Sequence, residues 1–348
     1  MRKPPRPLSL PVLALFGVLA TAAGCPQGEA PDDCPPPQTK PDSMPAADEA
    51  PPAQPGPGPA EGTLPVAEAA TTIPLVADDG HALNLWSLGP ADPSQARGAV
   101  VLVHGRTWSS VPDFDLRVDG DPRLSLAHNL AAAGYVVYAV DLRGYGESER
   151  DATGWLDPER AADDLHAAMK LVAEREGKAP DLLGWSMGAL VSHLDLLRHP
   201  EDARKLVLYG YPRDVDARYP PSDADAEPER APTTQEAARS DFITKGSISE
   251  AAITAYVDAS LAADPVRADW RHFEQLHALD PAALVHPTLV IHGAGDPIAK
   301  PLFQAKLFTR LTVPERAWVV LPDTDHAAHL ERPEAFVAAV LGFLQPPP

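Results

Sequence analysis

The pentapeptide at residues 184–188, Gly-Trp-Ser-Met-Gly, constrains the fold of this chain more than any other feature. A serine is a poor nucleophile unless a sharp turn between a strand and a helix exposes its Oγ atom. Flanking glycines permit such a turn, since a Cβ atom there would collide with neighbouring backbone. Residues 181–183 are typical of a short buried strand, and residues 187–199 carry leucines along one helical face. The pattern therefore predicts a strand, a tight turn at Ser186 and a helix.

From about residue 70 onward, predicted strands alternate with predicted helices. Residues 72–77 and 81–88 alternate apolar and polar side chains around an Asp-Asp-Gly turn, which predicts a β-hairpin. Further strands are predicted at residues 99–103, 135–140, 181–183, 205–209, 288–291 and 317–321. Helices are predicted at residues 125–133, 161–173, 187–199 and 333–344. This alternation predicts an α/β fold with a mostly parallel eight-stranded sheet and helices on both faces.

One long segment interrupts the alternation. Between Gly210 and Pro287 the sequence shows no strand pattern, and its clearest helices are predicted at residues 248–263 and 270–277. An insertion after the sixth strand is best placed over the carboxyl ends of the strands, where ligands of open α/β sheets bind. We therefore predict a core of residues 70–211 and 286–348, with a helical cap at residues 212–285.

Candidate partners for Ser186 follow two later predicted strands. Acyl transfer needs a base for the serine and an acid that orients the base. His326 follows the strand at 317–321, and Asp296 follows the strand that ends at residue 291. The order serine, aspartate, histidine is that of one known arrangement of such triads. Other acids near these positions remain alternatives to Asp296, namely Asp214, Asp323 and Asp325.

Composition excludes several other functions. The chain has 29 Lys and Arg against 49 Asp and Glu, a net charge of -20, which argues against nucleic-acid binding. It contains no G-x-x-x-x-G-K-[ST], H-E-x-x-H or C-x-x-C motif. We expect neither a metal nor an organic cofactor in the reaction. The only two cysteines precede the predicted core, so that core contains no disulfide.

The amino terminus has the pattern of an export signal. Basic residues precede an apolar stretch at residues 8–19, which is too short to span a bilayer comfortably. Small residues then precede Cys25, which resembles the lipobox of bacterial lipoproteins. We predict a signal peptide at residues 1–24, lipid attachment at Cys25 and a location in the bacterial cell envelope. Secretion after cleavage near residues 20–22 and a cytoplasmic location are the alternatives.

A proline-rich segment follows the predicted signal. Residues 25–69 are crowded with Pro, Ala, Gly and acidic residues and have few large apolar side chains. Such a composition cannot bury enough surface to offset the entropy of ordering. We predict a disordered tether between the lipid anchor on the membrane and the core.

Three further motifs, taken with the pentapeptide, resemble those of a known family. Residues 104–108 read His-Gly-Arg-Thr-Trp, residues 141–148 read Asp-Leu-Arg-Gly-Tyr-Gly-Glu-Ser, and residues 326–333 begin with His-Ala-Ala-His. In this order they resemble the α/β-hydrolases of the lipase, esterase and aminopeptidase branch. The resemblance extends from about residue 70 to residue 344.

The resemblance implies a role for each candidate residue. Ser186 is the nucleophile, His326 the base and Asp296 the residue that orients it. The backbone amides of Arg106 and Met187 form the oxyanion hole, with Thr107 as the alternative to Arg106. Six aromatic residues are candidates for the substrate pocket under the cap: Trp108, Trp185, Phe242, Tyr256, Trp270 and Phe273.

Several other polar residues have structural roles in this interpretation. We expect His104 to brace the oxyanion loop, His329 to support the site rather than act as the base, and His292 to be structural. Arg143 is expected to bind backbone carbonyl groups.

The predicted function is therefore hydrolysis of small or medium carboxylic esters through an acyl-enzyme. Amide or aminopeptidase activity with the same triad is the first alternative. Cofactor-free perhydrolase or haloperoxidase activity and a non-catalytic binding lipoprotein are the others. The sequence does not predict the oligomeric state.

Overall fold

Eight strands form one central sheet in the computed structural model, which describes residues 63–345. The strands are β1 (Thr71–Val76), β2 (Ala82–Leu88), β3 (Gly98–Val103), β4 (Tyr135–Asp141), β5 (Asp181–Trp185), β6 (Leu206–Tyr209), β7 (Thr288–Gly293) and β8 (Arg316–Leu321). Their order is β1-β2-β4-β3-β5-β6-β7-β8. The strand β2 pairs antiparallel with β1 and β4, and all other neighbours are parallel. The predicted α/β fold and its initial hairpin are confirmed.

Helices cover both faces of this sheet. They are α1 (Ser110–Phe114), α2 (Leu126–Ala132), α3 (Pro158–Glu176), α4 (Met187–Arg198), α5 (Gln235–Arg239), α6 (Glu250–Ala263), α7 (Pro301–Arg310), α8 (Ala328–Glu331) and α9 (Pro333–Leu344). In β3, Val101 and Val103 join a core with α3 and α4, whereas Val100 and Leu102 join a core with α2 and α9. Successive side chains of a strand point to opposite faces, so a strand buried on both faces is apolar throughout.

The cap enters between β6 and β7, as the sequence predicted. It contains α5, α6 and two short 3₁₀ segments, Phe273–Ala278 and Pro281–Ala283. The helix expected at residues 270–277 is only partly confirmed, as the 3₁₀ segment Phe273–Ala278. Trp270 instead lies in a short strand, Asp269–Trp270, that pairs in parallel with Trp155–Leu156. His272 then takes a left-handed conformation, with φ of 57°, which separates this strand from the 3₁₀ segment.

The folded body begins earlier than the sequence predicted. The amide of Leu64 donates a hydrogen bond of 2.8 Å to the carbonyl of Ala132, and Val66 forms an isolated β-bridge with Pro90. The last residues of the predicted tether, 25–69, are therefore part of the body. Backbone pairing and the apolar side chain of Val66, which packs on the core, explain the difference.

The predicted signal peptide at residues 1–24, Cys25 and most of the tether lie outside the described residues. Among the helices at residues 63–345, none has both the length and the apolar character that a membrane span needs.

Candidate active site

Ser186 occupies a strained turn between β5 and α4. Its φ and ψ are 55° and -116°, values that a residue other than glycine adopts rarely and at a cost of about 1–3 kcal/mol. The amide of Ser186 donates a 2.9 Å hydrogen bond to the carbonyl of Tyr209 in β6, which anchors the turn to the next strand. The side chain is only half-buried. This conformation is the one that the pentapeptide predicts.

The two glycines of the pentapeptide are required by close backbone contacts. A Cβ atom on Gly184 would overlap the carbonyl group of Gly188. A Cβ atom on Gly188 would overlap the carbonyl oxygen of Val103, at the end of β3. The amino end of α4 therefore packs directly on the backbone of the two strands that flank the site.

Replacing Gly188 by alanine is expected to destabilise the protein by about 3 kcal/mol and to lower activity, because β3 or α4 must shift to admit the methyl group. The matched control is Gly342→Ala in α9, where an added Cβ atom meets nothing within 4 Å. That change should stabilise the protein by up to about 1 kcal/mol through helix propensity. Urea denaturation of both variants measures the difference. Equal stabilities would contradict this explanation of the motif.

The base and its acid are in direct contact. His326 Nδ1 lies 2.8 Å from Asp296 Oδ2, and both side chains are buried. The other oxygen of Asp296 accepts hydrogen bonds of 2.8 Å from the amides of Ile298 and Ala299. Burial alone would raise the pKa of Asp296, but these hydrogen bonds and the nearby imidazole outweigh it and lower the pKa. Asp296 is thus held as a carboxylate that can accept a hydrogen bond from Nδ1–H of His326.

The three alternative acids have other partners. Asp214 forms a salt bridge of 2.7 Å with Lys306. Asp323 is exposed, and Asp325 is buried and accepts a 2.5 Å hydrogen bond from the amide of Thr244 in the cap. None of the three has a hydrogen bond to His326 among the described residues. The geometry therefore favours Asp296.

The loops that carry the three candidate residues meet at the carboxyl edge of the sheet. A Cβ atom on Gly293, the last residue of β7, would overlap the carbonyl oxygen of Asp325. The indole of Trp185, next to Ser186, donates a 3.0 Å hydrogen bond to the carbonyl of His326. The end of β5 and the end of β7 thus both contact the loop after β8.

The loop after β3 presents backbone amides beside Ser186. The Cβ atom of Ser186 would lie 3.7 Å from a Cβ atom placed on Gly105. Among the described residues, the amides of Arg106, Thr107 and Met187 donate no hydrogen bond. Met187 is the first residue of α4, where an amide has no acceptor within the helix. Free amides at the start of a helix can donate hydrogen bonds to an oxyanion.

His104 braces this loop. Its Nδ1 lies 2.8 Å from the carbonyl of Gly105, and its Nε2 accepts a 3.1 Å hydrogen bond from the amide of Leu142 after β4. Both ring nitrogens are therefore occupied, with the proton on Nδ1. The imidazole links the oxyanion loop to the neighbouring turn, in agreement with the role expected from the sequence.

Two buried acids that sequence reasoning missed also hold the oxyanion loop. Asp113 in α1 accepts a 3.1 Å hydrogen bond from the amide of Gly105. Asp264, at the end of α6, accepts hydrogen bonds of 2.8 Å from the amides of Ser109 and Gly146. Asp113 also accepts a 3.1 Å hydrogen bond from the hydroxyl of Tyr256 in α6, so each acid joins segments that are distant in the chain. No local pattern marks them, because their partners are backbone groups or side chains that are distant in the chain.

The six aromatic residues expected to line the pocket form two groups in the cap region, and Trp185 lies apart from both. Trp108 and Tyr256 are buried and hydrogen-bond to Asp241 of the cap, and Phe242 packs edge-on against Tyr256 at 5.0 Å between ring centroids. Trp270 and Phe273 stack on each other, and the guanidinium of Arg106 lies over the Phe273 ring at 5.5 Å from its centroid.

Trp185 lies behind His326, with 5.6 Å between ring centroids. Phe242 and Phe273 are the two partly exposed members of the six, so they are the rings best placed to meet a ligand, whereas the other four are buried.

The remaining histidines and Arg143 have structural contacts. His329 is buried between the hydroxyl of Tyr209 and the carbonyl of Asp113, at 3.0 and 2.7 Å. Burial lowers its pKa to about 4, so it is neutral and has both nitrogens engaged. His292 likewise contacts the carbonyl of Gly293 at 2.8 Å.

Arg143 differs from expectation. It pairs with carboxylates, namely those of Asp79, Asp151 and Asp164, and not with backbone carbonyls. A buried guanidinium needs a compensating negative charge, which a carbonyl does not supply.

Asp241 gives the cap a pH-dependent contribution to stability. Burial raises its pKa from 3.8 to about 6, although hydrogen bonds from Trp108 and Tyr256 oppose the rise. Since the folded protein then binds the proton more tightly than the unfolded chain, ionisation of Asp241 destabilises the fold as the pH rises from about 4 to above 6.

We expect Asp241→Asn to raise the melting temperature relative to the wild type at about pH 8, with the advantage vanishing near pH 4. The control Asp214→Asn should behave oppositely, since the hydrogen bond from Lys306 lowers the pKa of Asp214. Loss of the Asp214 carboxylate should therefore lower the stability of the protein at pH 8 and have little effect at low pH. Thermal denaturation across this range measures both, and parallel profiles for the two variants would contradict the assignment.

Comparison with known proteins agrees with this architecture. A model of the alpha/beta hydrolase family matches residues 100–339. The chain belongs to the α/β-hydrolase family.

Among curated proteins, the serine hydrolase BPHL of Mus musculus is 28% identical over 293 residues, which cover 79% of this chain and 87% of the relative. Two solved structures are similar in fold. A serine hydrolase of carbazole degradation, the CarC enzyme, has a TM-score of 0.56 at 20% identity and covers 79% of this chain and 99% of its own. An esterase from Thermogutta terrifontis has a TM-score of 0.54 at 22% identity, with coverages of 79% and 98%. The family and its serine hydrolase member support a hydrolase function for this chain.

Proposed function

We propose that this chain is a serine hydrolase that cleaves carboxylic esters through an acyl-enzyme. One observation carries the proposal: His326 holds a 2.8 Å contact with Asp296 at the sheet edge where the strained turn presents Ser186. Nucleophile, base and orienting acid are the three groups that acyl transfer needs.

The residues have the following roles in the proposed reaction. Asp296 accepts a hydrogen bond from Nδ1–H of His326, which leaves the Nε2 lone pair to take the proton of Ser186 as its Oγ attacks the ester carbonyl. The amides of Met187 and of Arg106 or Thr107 receive the negative oxygen of the tetrahedral intermediate. His326 returns its proton to the departing alcohol. Water, deprotonated by His326, then attacks the acyl-enzyme. The bond between the acyl carbon and Ser186 Oγ breaks, His326 returns the proton to Oγ, and the acid is released.

A panel of paired substrates tests the ester preference. The full-length protein would be assayed with nitrophenyl esters and with nitroanilides of the same acyl groups. We expect turnover of the esters with a burst of nitrophenol and much slower turnover of the anilides. Equal turnover of both series would contradict the ester preference and favour an amidase.

Aminoacyl substrates form a second candidate class, and Asp241 is the observation that favours them. This carboxylate lies in the cap segment that contacts the residue before His326, since the amide of Thr244 donates a 2.5 Å hydrogen bond to Asp325. The residue is partly exposed, and Trp108 and Tyr256 bind only its Oδ2 atom, so a substrate ammonium group could pair with Oδ1. Faster cleavage of an aminoacyl ester than of its deamino analogue, with the difference lost in Asp241→Asn, would support this class.

A further inference from the structure

A buried carboxylate without partners lies far from the candidate active site. Asp195 in α4 is fully buried, and neither of its oxygens has a hydrogen-bond partner among the described residues. The guanidinium of Arg198 is directed elsewhere, to Asp163 at 2.7 Å. A buried polar group without a partner is costly, so such a group suggests a missing ligand.

Two imidazoles lie beside this carboxylate. His199 follows Asp195 by four residues and comes directly after the last residue of α4, and His166 lies in α3. The two rings are stacked with 3.7 Å between centroids. One potential ligand atom from each of the three residues lies within 4.8 Å of the other two.

A second carboxylate supports one of the imidazoles from behind. Asp202 is buried, and its Oδ2 lies 2.6 Å from Nδ1 of His166. With the Nδ1 proton donated to Asp202, the lone pair of His166 is on Nε2. Metal-binding histidines are typically held in this way by an outer carboxylate, which fixes the tautomer and strengthens the ligand.

We propose that His166, Asp195 and His199 bind a divalent metal ion, with Zn²⁺ as the best fit. Two imidazole nitrogens and one carboxylate suit Zn²⁺, and a water molecule can complete four-coordination. The ion would neutralise the buried carboxylates of Asp195 and Asp202. The side chain of His166 is 20% exposed, so the site is accessible from solvent.

The position of the site assigns it a structural role. Ser186 precedes the first residue of α4, whereas His199 follows its last residue, Arg198. At 1.5 Å per residue the two ends of this helix are separated by about 18 Å. The ion would therefore join α3 to α4 and would not take part in the proposed hydrolysis, so this inference does not depend on the proposed function.

Calorimetric titration of the metal-stripped, full-length protein with ZnCl₂ tests the proposal. Cys25 and Cys34 would be replaced by serine, so that thiols do not compete. We expect one site whose affinity falls at least about tenfold in His199→Asn, and by about 10–100-fold in Asp202→Asn. The control His128→Asn, a half-buried histidine on α2, should bind as the parent does. Retained binding in His326→Ala would separate this site from the candidate active site.

Thermal denaturation provides a second readout, in which Asp195→Asn should change the melting temperature in opposite directions with and without metal. Zn²⁺ should raise the melting temperature of the parent and leave that of His199→Asn unchanged. Asp195→Asn should melt above the parent without metal, since the unpaired charge is gone, and below it with Zn²⁺. Absence of zinc binding, or binding and stabilisation that are equal in the parent and in His199→Asn, would overturn the proposal.

Discussion

Replacing Ser186 by alanine is expected to lower kcat for ester hydrolysis by about 10³-fold or more, because no other group can form the acyl-enzyme. The residual rate would come from the oxyanion amides and from substrate binding alone. The fold should be unaffected, since alanine keeps the Cβ atom and the strained backbone of Ser186 at φ 55°. Steady-state kinetics on a nitrophenyl ester, with denaturation of the same sample, measure both quantities.

The matched control for this variant is Ser192→Ala in the same helix. The hydroxyl of Ser192 is buried and has no hydrogen-bond partner among residues 63–345. Its removal should leave kcat nearly unchanged and the free energy of unfolding unchanged or slightly higher. Ser186→Ala with turnover within tenfold of the parent would exclude Ser186 as the nucleophile.

Asp296→Asn is expected to lower kcat by about 10³ to 10⁴-fold while the protein remains folded. The reason lies in the two amides, of Ile298 and Ala299, that bind Oδ1 of Asp296 at 2.8 Å. These donors keep the asparagine carbonyl oxygen in the Oδ1 position, so the NH₂ group faces Nδ1 of His326. The imidazole must then carry its proton on Nε2, where it cannot accept the proton of Ser186.

Asp325→Asn is the matched control, since Asp325 directly precedes His326 in the chain. Its carboxylate binds the amide of Thr244 in the cap, so its replacement should act on KM through cap position more than on kcat. Measuring kcat and KM separately for the two variants distinguishes these roles. A greater loss of kcat in Asp325→Asn than in Asp296→Asn would assign the orienting acid to Asp325.

The sequence predicted the core of the fold because its signals are local. Apolar runs such as residues 99–103 mark strands buried on both faces, and the observed β3 begins only one residue earlier. The glycines at 184 and 188 are informative for a similar reason. Gly184 is required by the backbone of Gly188 in the same strand–turn–helix unit, and Gly188 is required by the backbone of Val103 in the neighbouring strand. The prediction that Asp296 contacts His326 followed from strand order rather than from any local pattern.

Sequence reasoning failed where partners are distant in the chain. The expected helix at residues 270–277 overlooked the pairing of Trp270 with Leu156, and helical periodicity does not register such a long-range contact. Asp264 and the partners of Arg143 were missed for the same reason, because a buried acid is recognised only when its donors are known. The end of the tether was predicted too late in the chain, because composition does not reveal the backbone pairing of Val66.

Labelling with a fluorophosphonate, followed by peptide mass spectrometry, examines the activated serine itself without requiring knowledge of the substrate. The reagent reacts with a serine only when a base and an oxyanion site act on it together. We predict one adduct, on the peptide that contains Ser186, and its loss in both Ser186→Ala and His326→Ala. A folded sample that shows no adduct, or an adduct on another serine, would contradict the proposal that Ser186, His326 and Asp296 form a catalytic triad.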